Sequence, residues 1–297
     1  MRNNLFPGVT TAMITPFLAD QSVDYEGLRR NTRHQIENGV SGLLPLGTTG
    51  ESPTLSDDEK ERVVRTVIEE AKSANEKVKV MVGVGTNSTS KTIQNARQAM
   101  TWGADALLVV TPYYNKPTQE GILAHFTAVC QATDLPVVVY NIKGRTGTNI
   151  ETSTLKSMAS SINQIIAVKE ASGDIMQITD VLGEIPDLAV YSGDDNLTFP
   201  LICLGGQGVI SVVSNLIPRQ VVEMVDAALN GNFQQARQLN FHLMPIFKTA
   251  FIETNPGPIK YAMRKIGLAG GPLRLPLVEI RPASRTVLDA VLKKLEL

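Results

Sequence analysis

Lys169 closes the run Ile165-Ile-Ala-Val-Lys, four apolar residues and then an amine. An ammonium taken out of water loses its solvation, so such a position favours the neutral amine, the form that attacks a carbonyl. The chemistry this suggests is Schiff-base formation. The plainer alternative is a structural lysine paired with a neighbouring carboxylate such as Glu170. Tyr140 also ends an apolar run, at 136–141. A phenol there can relay protons near a forming carbinolamine, or it can sit half-buried with one partner for its hydroxyl. Gly47-Thr-Thr-Gly-Glu51 is a glycine-bracketed turn with two hydroxyls. Its backbone N–H groups could hold a small carboxylate and Thr49 could pass a proton, although the same run suits an ordinary polar loop. Arg145 lies just beyond Tyr140-Asn141 and, taken alone, reads as a loop arginine.

Other chemistries find little support. His34, His125 and His242 fall in separate helical patterns, and neither Glu51 nor Asp57 has a partner at metal-ligand spacing, so no metal site is expected. No G-x-S-x-G, P-loop or dinucleotide-binding fingerprint is present.

The candidate residues share a position in the pattern, since each follows or ends a short apolar run. The runs span 8–15, 40–47, 78–84, 104–111, 136–141, 165–169, 188–192 and 208–213. They are rich in Val, Ile and Leu throughout, as strands buried on both faces are. Amphipathic stretches separate them. In 57–73, Val63, Val64, Val67, Ile68 and Ala71 share one helical face, and Ser56 with Asp57, Asp58 and Glu59 makes a good helix start. Ser88 and Thr118 open later helices similarly. Eight strands, each followed by a helical segment, predict an α/β fold, a (β/α)8 TIM barrel, whose chemistry sits at the C-terminal strand ends. A doubly wound open sheet would have fewer strands and a phosphate fingerprint. After about Val225 helices at 229–252, 258–268 and 284–295 follow without strands, so we divide the chain into a barrel with the active site, 1–225, and a C-terminal helical extension, 226–297.

The bulk composition agrees. The chain has 297 residues, 43 % hydrophobic and 19 % charged, enough to bury a large core. Its net charge is -1 and its basic residues are scattered, so no nucleic-acid partner is expected. No apolar run approaches the roughly 18 residues of a membrane span, and the polar stretch 1–8 carries no targeting signal, so we expect a cytoplasmic protein. Cys130 and Cys203, both among apolar residues, are expected to be buried reduced thiols.

Taken together, the motifs resemble the pyruvate-dependent class I aldolase superfamily of dihydrodipicolinate synthases and N-acetylneuraminate lyases. They are Gly47-Thr-Thr-Gly-Glu-Ser52, Thr111-Pro-Tyr-Tyr-Asn-Lys-Pro-Thr-Gln-Glu-Gly121, Tyr140-Asn141, Val168-Lys-Glu-Ala171, Gly205-Gly-Gln-Gly-Val-Ile-Ser211, Glu253-Thr-Asn-Pro256 and Leu273-Arg-Leu-Pro276, in order along the whole chain. The resemblance implies Lys169 as the Schiff-base lysine for pyruvate and Tyr140, Thr49 and Tyr114 as the proton relay, with Tyr114 reaching a neighbouring subunit's site. It implies that the Thr48 and Thr49 amides hold the pyruvate carboxylate and that the Ile210 carbonyl lines the pocket. Arg145 would take the carboxylate of a second substrate, aspartate semialdehyde, for which a guanidinium fork is suited. No metal or organic cofactor is implied, since the protonated imine is the electron sink. The family commonly assembles as a homotetramer, a dimer of dimers.

Two departures stand out. The family's proline after Tyr-Asn-x is Lys143 here, which keeps open an aldolase or lyase for 2-keto-3-deoxy sugar acids. Arg145 favours the synthase, because the sialic-acid lyases lack it. A relative that binds a keto acid without turnover is the third reading; the intact Lys169, Tyr140, Thr49 and Tyr114 weigh against it. The second departure concerns feedback by L-lysine. Ser52, Asn87 and Tyr113 match the effector site of inhibited relatives, but Asp57, Lys60 and Lys91 replace its aromatic and acidic positions. A cationic Lys91 would repel the effector's ammonium, so weak or no inhibition is expected.

Overall fold

The computed structural model describes residues 5–74 and 78–297. Part of the N-terminal stretch in which we expect no targeting signal, residues 1–4, lies outside the described residues. The eight apolar runs become eight strands: β1 (Gly8–Ala12), β2 (Gly42–Leu44), β3 (Lys79–Gly83), β4 (Ala106–Val110), β5 (Val137–Asn141), β6 (Ile165–Glu170), β7 (Ala189–Ser192) and β8 (Gly208–Ser211). All neighbours pair in parallel, and β8 returns to β1, closing the barrel in chain order.

Alternation along each strand sorts the side chains into two layers. Leu44, Met81, Leu108, Val138 and Ile210 fill the barrel interior. Val80, Val82, Leu107, Val109, Val137 and Val139 point outward under the helices. Both faces are thus buried, which is why the strands read as unbroken hydrophobic runs. Closure demands glycine at one point: a Cβ on Gly208, whose φ is +143°, would stand 1.9 Å from the Gly8 carbonyl oxygen.

The expected helix starts are present. In Asp57–Ala74, the Ser56 hydroxyl accepts from the Glu59 N–H (3.2 Å) and the Glu59 carboxylate accepts from the Ser56 N–H (2.9 Å), a reciprocal cap. Ser88 caps Thr89–Trp102 and Thr118 caps Gln119–Cys130. Val63, Val64, Val67, Ile68 and Ala71 are buried against the barrel; each such Val or Ile contributes about 1.5–3 kcal/mol relative to exposure.

Two regions differ from the sequence-based expectation. The helix after β7 is only Thr198–Cys203, stopped before Gly205-Gly206, and this leaves Cys203 exposed, against our expectation of a buried thiol. Cys130 is buried, and desolvation pushes its thiol up to about 12. The last barrel helix, Pro218–Leu229, runs past residue 225 to a turn at Asn230-Gly231, and Asn232 caps the next helix, Phe233–Thr249. Gly257–Lys265 and Pro282–Lys294 complete the C-terminal extension. Among the described residues no helix is long and apolar enough to cross a membrane.

Candidate active site

Register brings the two sharpest candidates together. Tyr140 on β5 stands opposite Lys169 on β6, and Asn141 opposite Glu170. Because side chains alternate, the first pair points into the barrel mouth and the second away from it. The Lys169 Nζ lies 4.3 Å from the centroid of the Tyr140 ring. Glu170, the alternative ion-pair partner for Lys169, is occupied on the other face. Its carboxylate accepts from Asn141 Nδ2 (3.1 Å), the Ser172 N–H (2.8 Å) and Gln177 Nε2 (3.3 Å).

Lys169 is 5 % exposed and, among the described residues, its amine makes no hydrogen bond or ion pair. Burial lowers its pKa to about 8; the carboxylates of Asp194 and Asp195 pull it back up, and the Arg145 guanidinium presses it down. Burial also raises the Tyr140 phenol, which therefore keeps its proton at neutral pH. The Asp195 carboxylate is bound by the Ser211 hydroxyl and the Val212 and Val213 N–H groups, which fixes it at the end of β8.

The Gly47–Glu51 segment forms a 3-10 turn over Thr48–Gly50 at the end of β2. Its first N–H groups have no acceptor within the turn, as in any helical start. Thr48 and Tyr140 line the same cleft. Thr49 is buried, and its hydroxyl accepts from Asn255 Nδ2 at 2.9 Å. Leu46 and Glu51 flank the turn in the left-handed region, at φ 60° and 52°. For non-glycine residues that conformation costs on the order of 1 kcal/mol and persists only where the surroundings enforce it. Gly83 is one such surrounding, since a Cβ there would stand 2.4 Å from the Leu46 carbonyl oxygen.

These elements enclose a small cleft at the C-terminal strand ends. Lys169, Tyr140, Thr48, Thr49 and Arg145 line it. Arg145 is exposed on the short helix Lys143–Thr146. Lys143 opens that helix, and the Thr146 hydroxyl, bonded to the Ile142 and Thr148 carbonyls, fixes the loop without a proline. Two predicted residues are not among the lining of this cleft. Ile210 is fully buried in the barrel interior, and Tyr114 is 88 % exposed with a left-handed φ of 74°.

The sequence reading missed Asp194 and Asn255, which also line the cleft. Asp194 follows the end of β7, so the strand-end rule that nominated Lys169 would have found it. Asn255 lies in the recognised Glu253–Pro256 motif, but its position over the barrel mouth is a tertiary fact. Away from the cleft, Lys91 Nζ lies 3.3 Å and Lys60 Nζ 3.5 Å from the Asp57 carboxylate, and the Lys91 ammonium holds that carboxyl below its usual range.

Comparison with known proteins is consistent along the whole chain. The model of a family described as "Dihydrodipicolinate synthetase family" matches residues 5–295. A 4-hydroxy-tetrahydrodipicolinate synthase from Protochlamydia amoebophila is 49 % identical over 292 residues, 97 % of this chain and 96 % of that protein. One from Methanocaldococcus jannaschii is 46 % identical, covering 99 % of this chain and 100 % of that protein. The crystal structure of the dihydrodipicolinate synthase from Thermotoga maritima superposes with a TM-score of 0.94 at 44 % identity, covering 98 % of this chain and 99 % of that one.

Proposed function

The chain belongs to the dihydrodipicolinate synthetase family, and from that membership we propose how its cleft carries out the 4-hydroxy-tetrahydrodipicolinate synthase reaction of its relatives. The observation that carries the proposal is the buried amine of Lys169, its pKa lowered by burial and without a hydrogen-bond or ion-pair partner among the described residues, beside the Tyr140 phenol. The amine adds to the C2 carbonyl of pyruvate, and the carbinolamine expels water to give a protonated imine. Tyr140, with Thr49 and a Tyr114 from a neighbouring subunit, carries protons to and from the carbinolamine oxygen. The Thr48 and Thr49 amides hold the pyruvate carboxylate, and the Ile210 carbonyl completes that pocket.

The imine nitrogen withdraws electrons, so the pyruvate methyl group loses a proton and becomes the nucleophilic end of an enamine. That carbon attacks the aldehyde of L-aspartate 4-semialdehyde, whose carboxylate Arg145 receives. The substrate's own amine then adds to the imine carbon and expels the Lys169 amine, closing the ring. The imine is the electron sink throughout, so the chemistry calls for no further cofactor.

Tyr114 supports a homo-oligomer, a dimer of dimers, because a large aromatic held exposed on a left-handed backbone suits insertion into another subunit. We place the enzyme in the cytoplasm, as a biosynthetic activity making diaminopimelate and lysine precursors.

The test of this reading is semialdehyde-dependent pyruvate consumption. Turnover with aspartate semialdehyde but not with 2-keto-3-deoxy sugar acids is expected, and the reverse preference would contradict it. The pH profile gives a second prediction. The reactive form of Lys169 is the neutral amine, so kcat/KM for pyruvate should rise roughly tenfold per pH unit at low pH and level off above about pH 8. A profile flat through that range would show that another group limits imine formation. A third concerns L-lysine. Lys91 already places an ammonium against Asp57, so about 1 mM L-lysine, the concentration that half-fills a site with a free energy of binding of about -4 kcal/mol, should leave turnover unchanged. Half-inhibition below that concentration would sink the expectation.

A further inference from the structure

Lys260 is a second buried lysine, and the reaction outlined above does not use it. Its side chain is 0 % exposed. Its ammonium donates to Glu51 Oε1 (2.7 Å), the Thr15 carbonyl (3.0 Å) and the Pro272 carbonyl (2.6 Å), so all three of its donors are engaged. The other carboxylate oxygen of Glu51 accepts from the Arg274 N–H at 3.0 Å. Stability alone is a weak reason for such a pair, since apolar residues of similar volume generally replace buried ion pairs without loss. A buried pair is, however, geometrically exacting, and the question is what this one holds.

It holds the end of the Thr48–Gly50 turn. The Glu51 N–H bonds the Thr48 carbonyl at 3.1 Å, and Glu51 itself sits in the left-handed region. Thr15, whose carbonyl Lys260 binds, donates its hydroxyl to the Gly50 carbonyl at 2.8 Å. Asn255, in the segment leading into the helix that carries Lys260, holds the Thr49 hydroxyl. One stretch of the C-terminal extension therefore grips the turn on both sides of Gly50.

We propose that Lys260 and Glu51 are positioning residues that clamp the Thr48-Thr49 turn as a preformed cradle for the carboxylate of the keto-acid substrate. This rests on the assignment of pyruvate to Lys169 and the turn. The clamp predicts a loss specific to pyruvate: displacing the turn by a fraction of an ångström weakens capture of the carboxylate, while Arg145, on another loop, keeps its grip on the second substrate.

The test compares the full-length enzyme with Glu51→Gln, Lys260→Met and the double variant. Pyruvate saturation of the imine is read by borohydride trapping and intact mass, alongside Tm and the KM for the semialdehyde. Each single variant leaves a buried charge unpaired and should lose Tm. The double variant removes both charges and should regain Tm, yet still need roughly tenfold more pyruvate, with the semialdehyde KM changed less than about threefold. Should the singles fail to fold, the double variant decides. Recovery of Tm together with wild-type pyruvate saturation would overturn the clamp and leave the pair purely structural. Failure of the unmodified enzyme to trap any pyruvate would instead overturn the assignment of the site, and the clamp with it.

Discussion

Lys169→Ala should lose at least about a thousandfold in turnover, because Lys169 is the one lysine among the described residues lining the cleft and a nucleophile's removal eliminates the covalent route entirely. The variant should nevertheless fold normally. The Lys169 amine is buried without a hydrogen-bond or ion-pair partner among the described residues. Deleting it relieves a desolvation cost, so Tm should hold or rise. Loss of activity with an unchanged or higher Tm separates a chemical role from a structural one. A Lys169→Ala enzyme retaining turnover within tenfold of wild type would contradict the assignment of this residue.

Tyr140→Phe is expected to lower kcat by about 10²–10³, the range in which a positioned proton-transfer group contributes. The substitution removes one oxygen and keeps the ring beneath the Lys169 amine, so packing survives and only the relay is interrupted. Burial raises the phenol's pKa, so at neutral pH it is present as the acid and can donate to the departing carbinolamine oxygen before taking the proton back. Imine formation should therefore be slowed rather than abolished, and trapping over long incubation should still label Lys169. Unchanged kcat would show that protons reach the carbinolamine by another route, such as water.

The parts of this account that were legible in the sequence are those governed by short-range periodicity. The unbroken Val, Ile and Leu runs identified all eight strands because a parallel sheet covered on both faces permits no polar alternation. The strand-end rule then nominated Lys169, Tyr140 and the Thr48-Thr49 turn. It could not choose between a catalytic lysine and one paired with Glu170. The β5–β6 register, a tertiary fact, turns Glu170 toward Asn141 and Gln177 and so removes it as a partner for Lys169. Asn255 and Lys260 were illegible for a different reason. They lie more than two hundred residues from Thr49 and Glu51 in sequence, and nothing local announces that the C-terminal extension folds back over the turn. Cys203 went wrong because its apolar neighbours suggest burial, whereas the helix holding it is too short to carry it under the barrel wall. Tyr114, exposed on this chain, takes up its proposed role only in the proposed oligomer.

The most direct measurement is to incubate the enzyme with pyruvate, reduce with borohydride, and locate the adduct by peptide mass. The account predicts one reduced pyruvate per chain, on Lys169, absent from Lys169→Ala. An adduct on Lys260 or another lysine, or no adduct at saturating pyruvate, would contradict the claim that Lys169 is the amine through which this enzyme works.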